Sequence, residues 1–167
     1  MNTSVGEPRR RDNLVCGGNN RYSLKMHVFT YGTLMFPQVW QAVVGREFRA
    51  VGAVLAGYAI YRVQDAVFPG ITASDAGGCV CGVVYLDVDH ASLVRLDRFE
   101  DDFYERRTVH VACDDGEARD AEAYVVPQER RAVLTNDPWQ ADEFVASGGL
   151  EEFIRRFQGF ARLVDGA

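Results

Sequence analysis

No stretch of this 167-residue chain is both apolar and long enough for a membrane-crossing helix, which needs about 20 consecutive apolar residues. Basic residues are in the minority: 18 Lys and Arg stand against 24 Asp and Glu, a net charge of −6. Nucleic-acid surfaces usually carry a basic patch, so this balance argues against one. The only histidines are His27, His90 and His110, and they lack metal-ligand spacing. Four cysteines are present, Cys16, Cys79, Cys81 and Cys113. Cys79 and Cys81 share one face of a predicted strand, but thiols one residue apart do not match a zinc knuckle. With no secretory signal, the expectation is reduced, mostly buried thiols in a cytoplasmic protein. Nucleophilic catalysis finds no support. Ser23, Ser74, Ser92 and Ser147 lack a nucleophile-elbow context, and Asp114 and Asp115 beside Cys113 would raise that thiol's pKa. Internal repeats are absent.

What is present suits one domain with a full core: 47% of residues are hydrophobic and 25% charged. Residues 1–25 differ from the rest. They hold Arg9-Arg10-Arg11 and Gly17-Gly18-Asn19-Asn20 with little apolar periodicity. No apolar segment follows the arginines, so a twin-arginine signal is rejected. A flexible arm, or an extension upstream of a start at Met26, is expected there. Residues 26–163 are read as a single domain.

His27 to Thr30 predicts a strand, and Gly32 breaks it before a helix over 37–44 with Pro37 at its first position and Gly45 as its stop. Strands are predicted at Phe48–Leu55 and Tyr58–Val63, with a bend at Gly57. Pro69-Gly70 reads as a turn, Ile71 to Ala73 as a short strand, and Gly77-Gly78 as a hairpin-like break. Cys79 to Val88 is the most apolar strand and reads as central. Asp89 is a plausible N-cap for a helix carrying Leu93, Leu96 and Phe99. Strands follow at Arg106–Cys113 and Asp120–Val126, joined around Asp114-Asp115-Gly116. Asp137-Pro138 reads as a helix start and Gly148-Gly149 as its stop. Leu150, Phe153, Ile154, Phe157 and Phe160 recur at helical spacing in a last, core-covering helix. About seven strands in near-direct succession, with three or four helices, predict an α+β fold with a mixed or barrel-like sheet.

Two features point to chemistry. The Tyr31-Gly32-Thr33-Leu34 segment ends a strand and leaves backbone N–H groups that can hold a carboxylate or an oxyanion. Taken alone, these residues favour the plainer reading, a strand-end turn without a ligand. At roughly 100° per residue, Glu100 projects between Leu93 and Leu96, inward, at the negative end of its helix. Desolvation, the dipole and Asp97, Asp101 and Asp102 would all raise its pKa, which suits proton transfer near neutrality. The alternative is a solvated acidic loop, Glu100-Asp101-Asp102.

Taken in order, Tyr31-Gly32-Thr33-Leu34 and then Leu96-Asp97-Arg98-Phe99-Glu100 through Tyr104 and Arg106 resemble the gamma-glutamylcyclotransferase-like superfamily, in its gamma-glutamylamine cyclotransferase and plant avirulence-induced branch. The resemblance implies a compact β-barrel of about six to seven strands with flanking helices. It implies an enzyme that releases 5-oxoproline from a gamma-glutamyl amine or peptide, with no metal or other cofactor. Glu100 would be the acid/base and Tyr31, Gly32, Thr33 and Leu34 the substrate cradle. Tyr104 and Tyr124 would line the site, and Arg106 would either support it or brace acidic neighbours. The expected partner is a small gamma-glutamyl compound, not nucleic acid or membrane; the oligomeric state is open. Two alternatives stand beside this one: a non-catalytic ligand-binding or regulatory module, and a transferase or hydrolase acting on another gamma-linked amide.

Overall fold

A computed structural model of the chain describes residues 25–164. The expected arm and Cys16 lie outside the described residues, apart from Lys25. In chain order come β1 (Met26–Thr30), a 3-10 turn (Thr33–Met35), α1 (Pro37–Val44), β2 (Ala50–Ala56), β3 (Tyr58–Val63), β4 (Pro69–Ala73) and β5 (Cys79–Val88). There follow α2 (His90–Phe99), β6 (Glu105–Cys113), β7 (Ala118–Val125), a 3-10 helix (Gln128–Val133), β8 (Leu134–Pro138), α3 (Ala141–Ala146) and α4 (Gly149–Val164).

Five strands close into a barrel in the order β1-β5-β2-β6-β7. Its seam is the parallel contact of β1 with β7, where Val28 faces Glu122. The other barrel pairings are antiparallel. The remaining strands form a second sheet, β4-β3-β8, joined to the end of β7 where the Val126 N–H donates to Ile71 O at 2.8 Å. The α+β, barrel-like expectation is therefore correct, with eight strands among the described residues.

Val28 to Thr30 of β1 and Val84 to Leu86 of β5 are buried on both faces of the barrel wall, which is why β5 reads as the most apolar strand. Phe29, Val80 and Val84 point into the barrel with Leu55 and Val111. Val28, Tyr85 and Val88 point outward, under α1, α2 and α4. Trp40 of α1 stacks on Tyr85, with ring centroids 3.5 Å apart and planes at 13°. Asp89 caps α2 as expected, its carboxylate accepting the Ser92 N–H at 2.8 Å. Gly45 ends α1 in the left-handed region, at φ 71°.

Three local expectations are corrected. Cys79 and Cys81 are exposed and Cys113 is buried; β5 alternates, and the helices do not cover the outer face of its first residues. Pro69-Gly70 is not a turn but the start of β4, paired with Arg62 and Tyr61. Proline is tolerated there because it opens an edge strand. Asp137-Pro138 does not start a helix; it ends β8, where Pro138 pairs with Tyr61, and α3 begins only at Ala141.

The barrel interior has no spare room beside β5. A Cβ at Gly82 would lie 2.2 Å from Thr30 O and 2.7 Å from the Phe29 ring. Gly82→Ala is expected to cost about 3 kcal/mol of stability, as overpacking against backbone does. Urea unfolding measures it, and an unchanged midpoint would contradict this packing.

Candidate active site

The end of β1 and the end of α2 meet at one rim of the barrel. Beyond Thr30 the Tyr31 side chain turns inward, and its hydroxyl donates to Tyr124 O at 2.5 Å. Gly32 is required by close approach: a Cβ there would lie 2.8 Å from Pro69 Cγ. The chain then winds into the 3-10 turn, closed by Met35 N–H to Gly32 O at 3.0 Å and Phe36 N–H to Thr33 O at 3.2 Å. A helical start of this kind leaves the N–H groups of Thr33 and Leu34 outside its own ladder. The Tyr85 hydroxyl donates to Leu34 O at 3.1 Å and fixes the turn from below.

Glu100 is the residue at which α2 stops. Its N–H still donates to Leu96 O at 3.1 Å, but its own backbone is extended, at φ −76° and ψ 144°. The side chain enters a cavity of about 910 Å³ whose wall includes Tyr31, Gly32, Thr33 and Leu34. Tyr104 and Tyr124 line the same cavity. The structure thus brings together the strand-end loop, Glu100 and both tyrosines. Arg106 is not in the cavity wall. Its Nε lies 3.2 Å from Asp97 Oδ1 and 3.8 Å from Glu122 Oε2.

The electrostatics follow from burial. Desolvation pushes the Glu100 carboxyl up to about 8, and the charges of Asp101 and Asp97 add to the shift. Burial holds the Tyr31 and Tyr104 phenols well above their ordinary value, with Glu100 adding to both shifts. Both remain protonated donors: Tyr104 gives its proton to Pro69 O at 2.6 Å. The Tyr124 phenol is also raised, by burial first and then by its 2.7 Å hydrogen bond to Asp97. Asp97 is therefore held between Tyr124 and Arg106, four residues along from Leu93 and three before Glu100. No cluster of three or more metal-ligating side chains occurs among the described residues.

Several wall residues were not legible as such in the sequence. The segment from Asp65 to Pro69 closes one side, and the Trp139 indole N–H ties it down by donating to Val67 O at 3.0 Å. Asp65 has φ 57°, a left-handed conformation that aspartate tolerates better than most residues. Arg95, Arg98 and Phe99 of α2 and Phe153, Arg156 and Phe157 of α4 form the far wall. Their i, i+3, i+4 spacing was the available signal, but it reads as core packing until the facing helix is known.

Because Glu100 is raised from an ordinary 4.5 to about 8, its contribution to stability is full below pH 4.5 and is lost as pH rises through 8. Relative to wild type, Glu100→Gln should gain stability across that window, with a slope approaching about 1.4 kcal/mol per pH unit. Paired denaturant titrations at several pH values test this. A difference between the two proteins that does not vary with pH would contradict a desolvated carboxyl.

Residues 28–141 match the family described as gamma-glutamyl cyclotransferase, AIG2-like. Among curated relatives, AIG2-like protein C of Arabidopsis thaliana is 37% identical over 134 residues, covering 80% of this chain and 76% of that protein. Protein AIG2 C of the same plant is 38% identical over 100 residues, and the match spans 59% of this chain and 60% of the relative's length. A solution structure from Arabidopsis thaliana superposes with a TM-score of 0.63 at 30% identity, covering 86% of each chain. With the loop and the acid brought to one cavity and the family matched across the barrel, this chain belongs to the gamma-glutamyl cyclotransferase, AIG2-like family.

Proposed function

We propose that this protein releases 5-oxoproline from a gamma-glutamyl amine or peptide, with Glu100 as its general acid/base. The observation that carries the reading is the Glu100 carboxyl, raised to about 8, in a cavity it shares with the Tyr31–Leu34 loop. Family membership supports the reaction type.

The chemistry is intramolecular. The substrate's α-nitrogen attacks its own γ-carbonyl carbon, a five-membered ring closes, and the C–N bond to the leaving amine breaks. Two protons must leave the α-nitrogen, one from the ammonium before attack and one from the ring nitrogen after it, and two must reach the departing nitrogen, which leaves as an ammonium. A carboxylate of ordinary pKa is a poor base towards an ammonium group. Raising the carboxyl to about 8 narrows that gap and also makes the protonated form a serviceable donor. Glu100 can therefore accept the first proton and return it to the leaving nitrogen, then pass the ring nitrogen's second proton to the released amine, so that it ends the cycle as it began.

Two further demands fall on the site. The tetrahedral intermediate carries an oxyanion, and the unladdered N–H groups at the start of the 3-10 turn are donors of the right kind. The glutamyl chain must also be bent so that its own amine reaches its carbonyl. Tyr31 and Tyr104 are held by hydrogen bonds to Tyr124 O and Pro69 O, which gives a rigid wall against which to bend it. Neither tyrosine is free to ionise, so neither competes with Glu100 for the proton.

The test is 5-oxoproline release from a panel of gamma-glutamyl amines and peptides, wild type beside Glu100→Gln. Wild type should turn over at least one compound, and the glutamine variant should lose roughly a hundred- to ten-thousand-fold in rate. Equal release by both proteins would remove Glu100 from the mechanism. The pH profile gives a second test. Proton acceptance needs the ionised carboxyl, so kcat/KM should rise with unit slope as pH approaches about 8. A profile flat between pH 6 and 8 would exclude that role.

A further inference from the structure

Resting on the reaction just proposed, we infer that the outer half of the cavity takes a leaving amine with an aromatic body and a carboxylate, and that Arg98 selects the carboxylate.

Two helices build this half with matching faces. Arg95, Arg98 and Phe99 of α2 stand at i, i+3 and i+4, and Phe153, Arg156 and Phe157 of α4 repeat the spacing; all six line the cavity. Residues so spaced share one helix face. The Phe99 ring meets those of Phe157 and Phe153 edge-on, with centroids 5.2 Å and 6.3 Å away. All three rings are only half-buried, and all three line the cavity. A contiguous aromatic wall beside a reaction centre is a ligand surface by its chemistry, suited to a flat apolar group. It also begins at the right place. Phe99 immediately precedes Glu100, so a group attached to the leaving nitrogen would pass from the acid onto these rings.

The charges divide the cavity in the same sense. Its carboxyl groups gather at the glutamyl end. Glu100 and Asp101 lie at the end of α2, and Asp65 belongs to the segment ending at Pro69, which abuts Gly32. The arginines occupy the helix faces, and two of them have other work. Arg95 donates to Val44 O at 3.0 Å and closes the end of α1. Arg156 lies 2.7 Å from Glu152, which also meets Arg155, so one carboxylate serves two guanidinium groups. Among the described residues Arg98 joins no ion pair. Its place in the last turn of α2 suits the helix dipole, and its donors meet no carboxylate among the described residues. A planar guanidinium beside aromatic rings is matched to a carboxylate. The same surplus of positive charge disfavours a polyamine or other cationic leaving group.

Four conjugates separate these contributions: gamma-glutamylphenylalanine, gamma-glutamylphenethylamine, gamma-glutamylalanine and gamma-glutamylputrescine. In 5-oxoproline release, kcat/KM should be highest for the phenylalanine conjugate. It should exceed the phenethylamine conjugate, which lacks only the carboxylate, by about tenfold or more. Arg98→Ala should collapse that ratio towards one, while Phe157→Ala should shrink the advantage of phenylalanine over alanine. A best rate with putrescine, or an Arg98→Ala variant that lowers all four substrates by the same factor, would overturn the inference and leave the proposed reaction standing. Release from none of them by folded protein would instead count against the reaction. Calorimetric Kd values on the same compounds then judge the wall by itself. Tighter binding of the phenylalanine conjugate that Arg98→Ala abolishes supports the wall, and equal binding of all four overturns it.

Discussion

Desolvation of one carboxyl is the constraint around which the molecule is arranged. A glutamate left in water would be ionised throughout the neutral range and would be a weak base towards an ammonium group. Glu100 reaches about 8 because α2 delivers it, at its last turn, into a cavity walled by tyrosines and phenylalanines. Leu93 and Leu96 bury the helix against the barrel and so aim its end. Asp97 adds to the shift, yet its own charge is held in place by the Tyr124 hydroxyl and Arg106. The arginine acts here at one remove, on the neighbour of the acid.

The opposite wall is positioned by contacts of another kind. The Tyr31–Leu34 loop is fixed by strand ends rather than by side-chain charges: Tyr31 is tied to β7, and Leu34 is tied to β5 through Tyr85. Close approach of Gly32 to Pro69 brings the β3–β4 connection over the loop, and Trp139 holds that connection from the far side. Three regions distant in sequence therefore converge on the cavity with little freedom to move. The intramolecular attack proposed above needs a substrate held bent onto itself, and walls of that sort suit it.

Much of this was legible in the sequence, for identifiable reasons. β5 is the most apolar stretch of the chain, α2 carries a helical stripe in Leu93, Leu96 and Phe99, and Asp89 and Gly45 mark helix ends by local chemistry alone. The inward aim of Glu100 followed from its angle relative to Leu93 and Leu96. What was lost depended on pairing between distant segments. β8 has too little apolar pattern to declare itself, and it exists because β3 offers an edge. Pro69 and Pro138, read locally as turn and helix punctuation, lie in strands for the same reason. The exposure of Cys79 and Cys81 reflects where the helices stop covering the barrel, which no strand reveals by itself. The arginine and phenylalanine wall was hidden in the same way, because helical spacing identifies a face but not what that face looks upon.

The measurement that tests the central claim most directly is the titration of the Glu100 carboxyl carbon by NMR in the folded protein, assigned by comparison with Glu100→Gln. A midpoint near 8, where an exposed glutamate titrates near 4.3, is the result this account requires. A midpoint in the ordinary carboxylate range would mean that water reaches the acid freely, and the proton-transfer role built on its desolvation would fall with it.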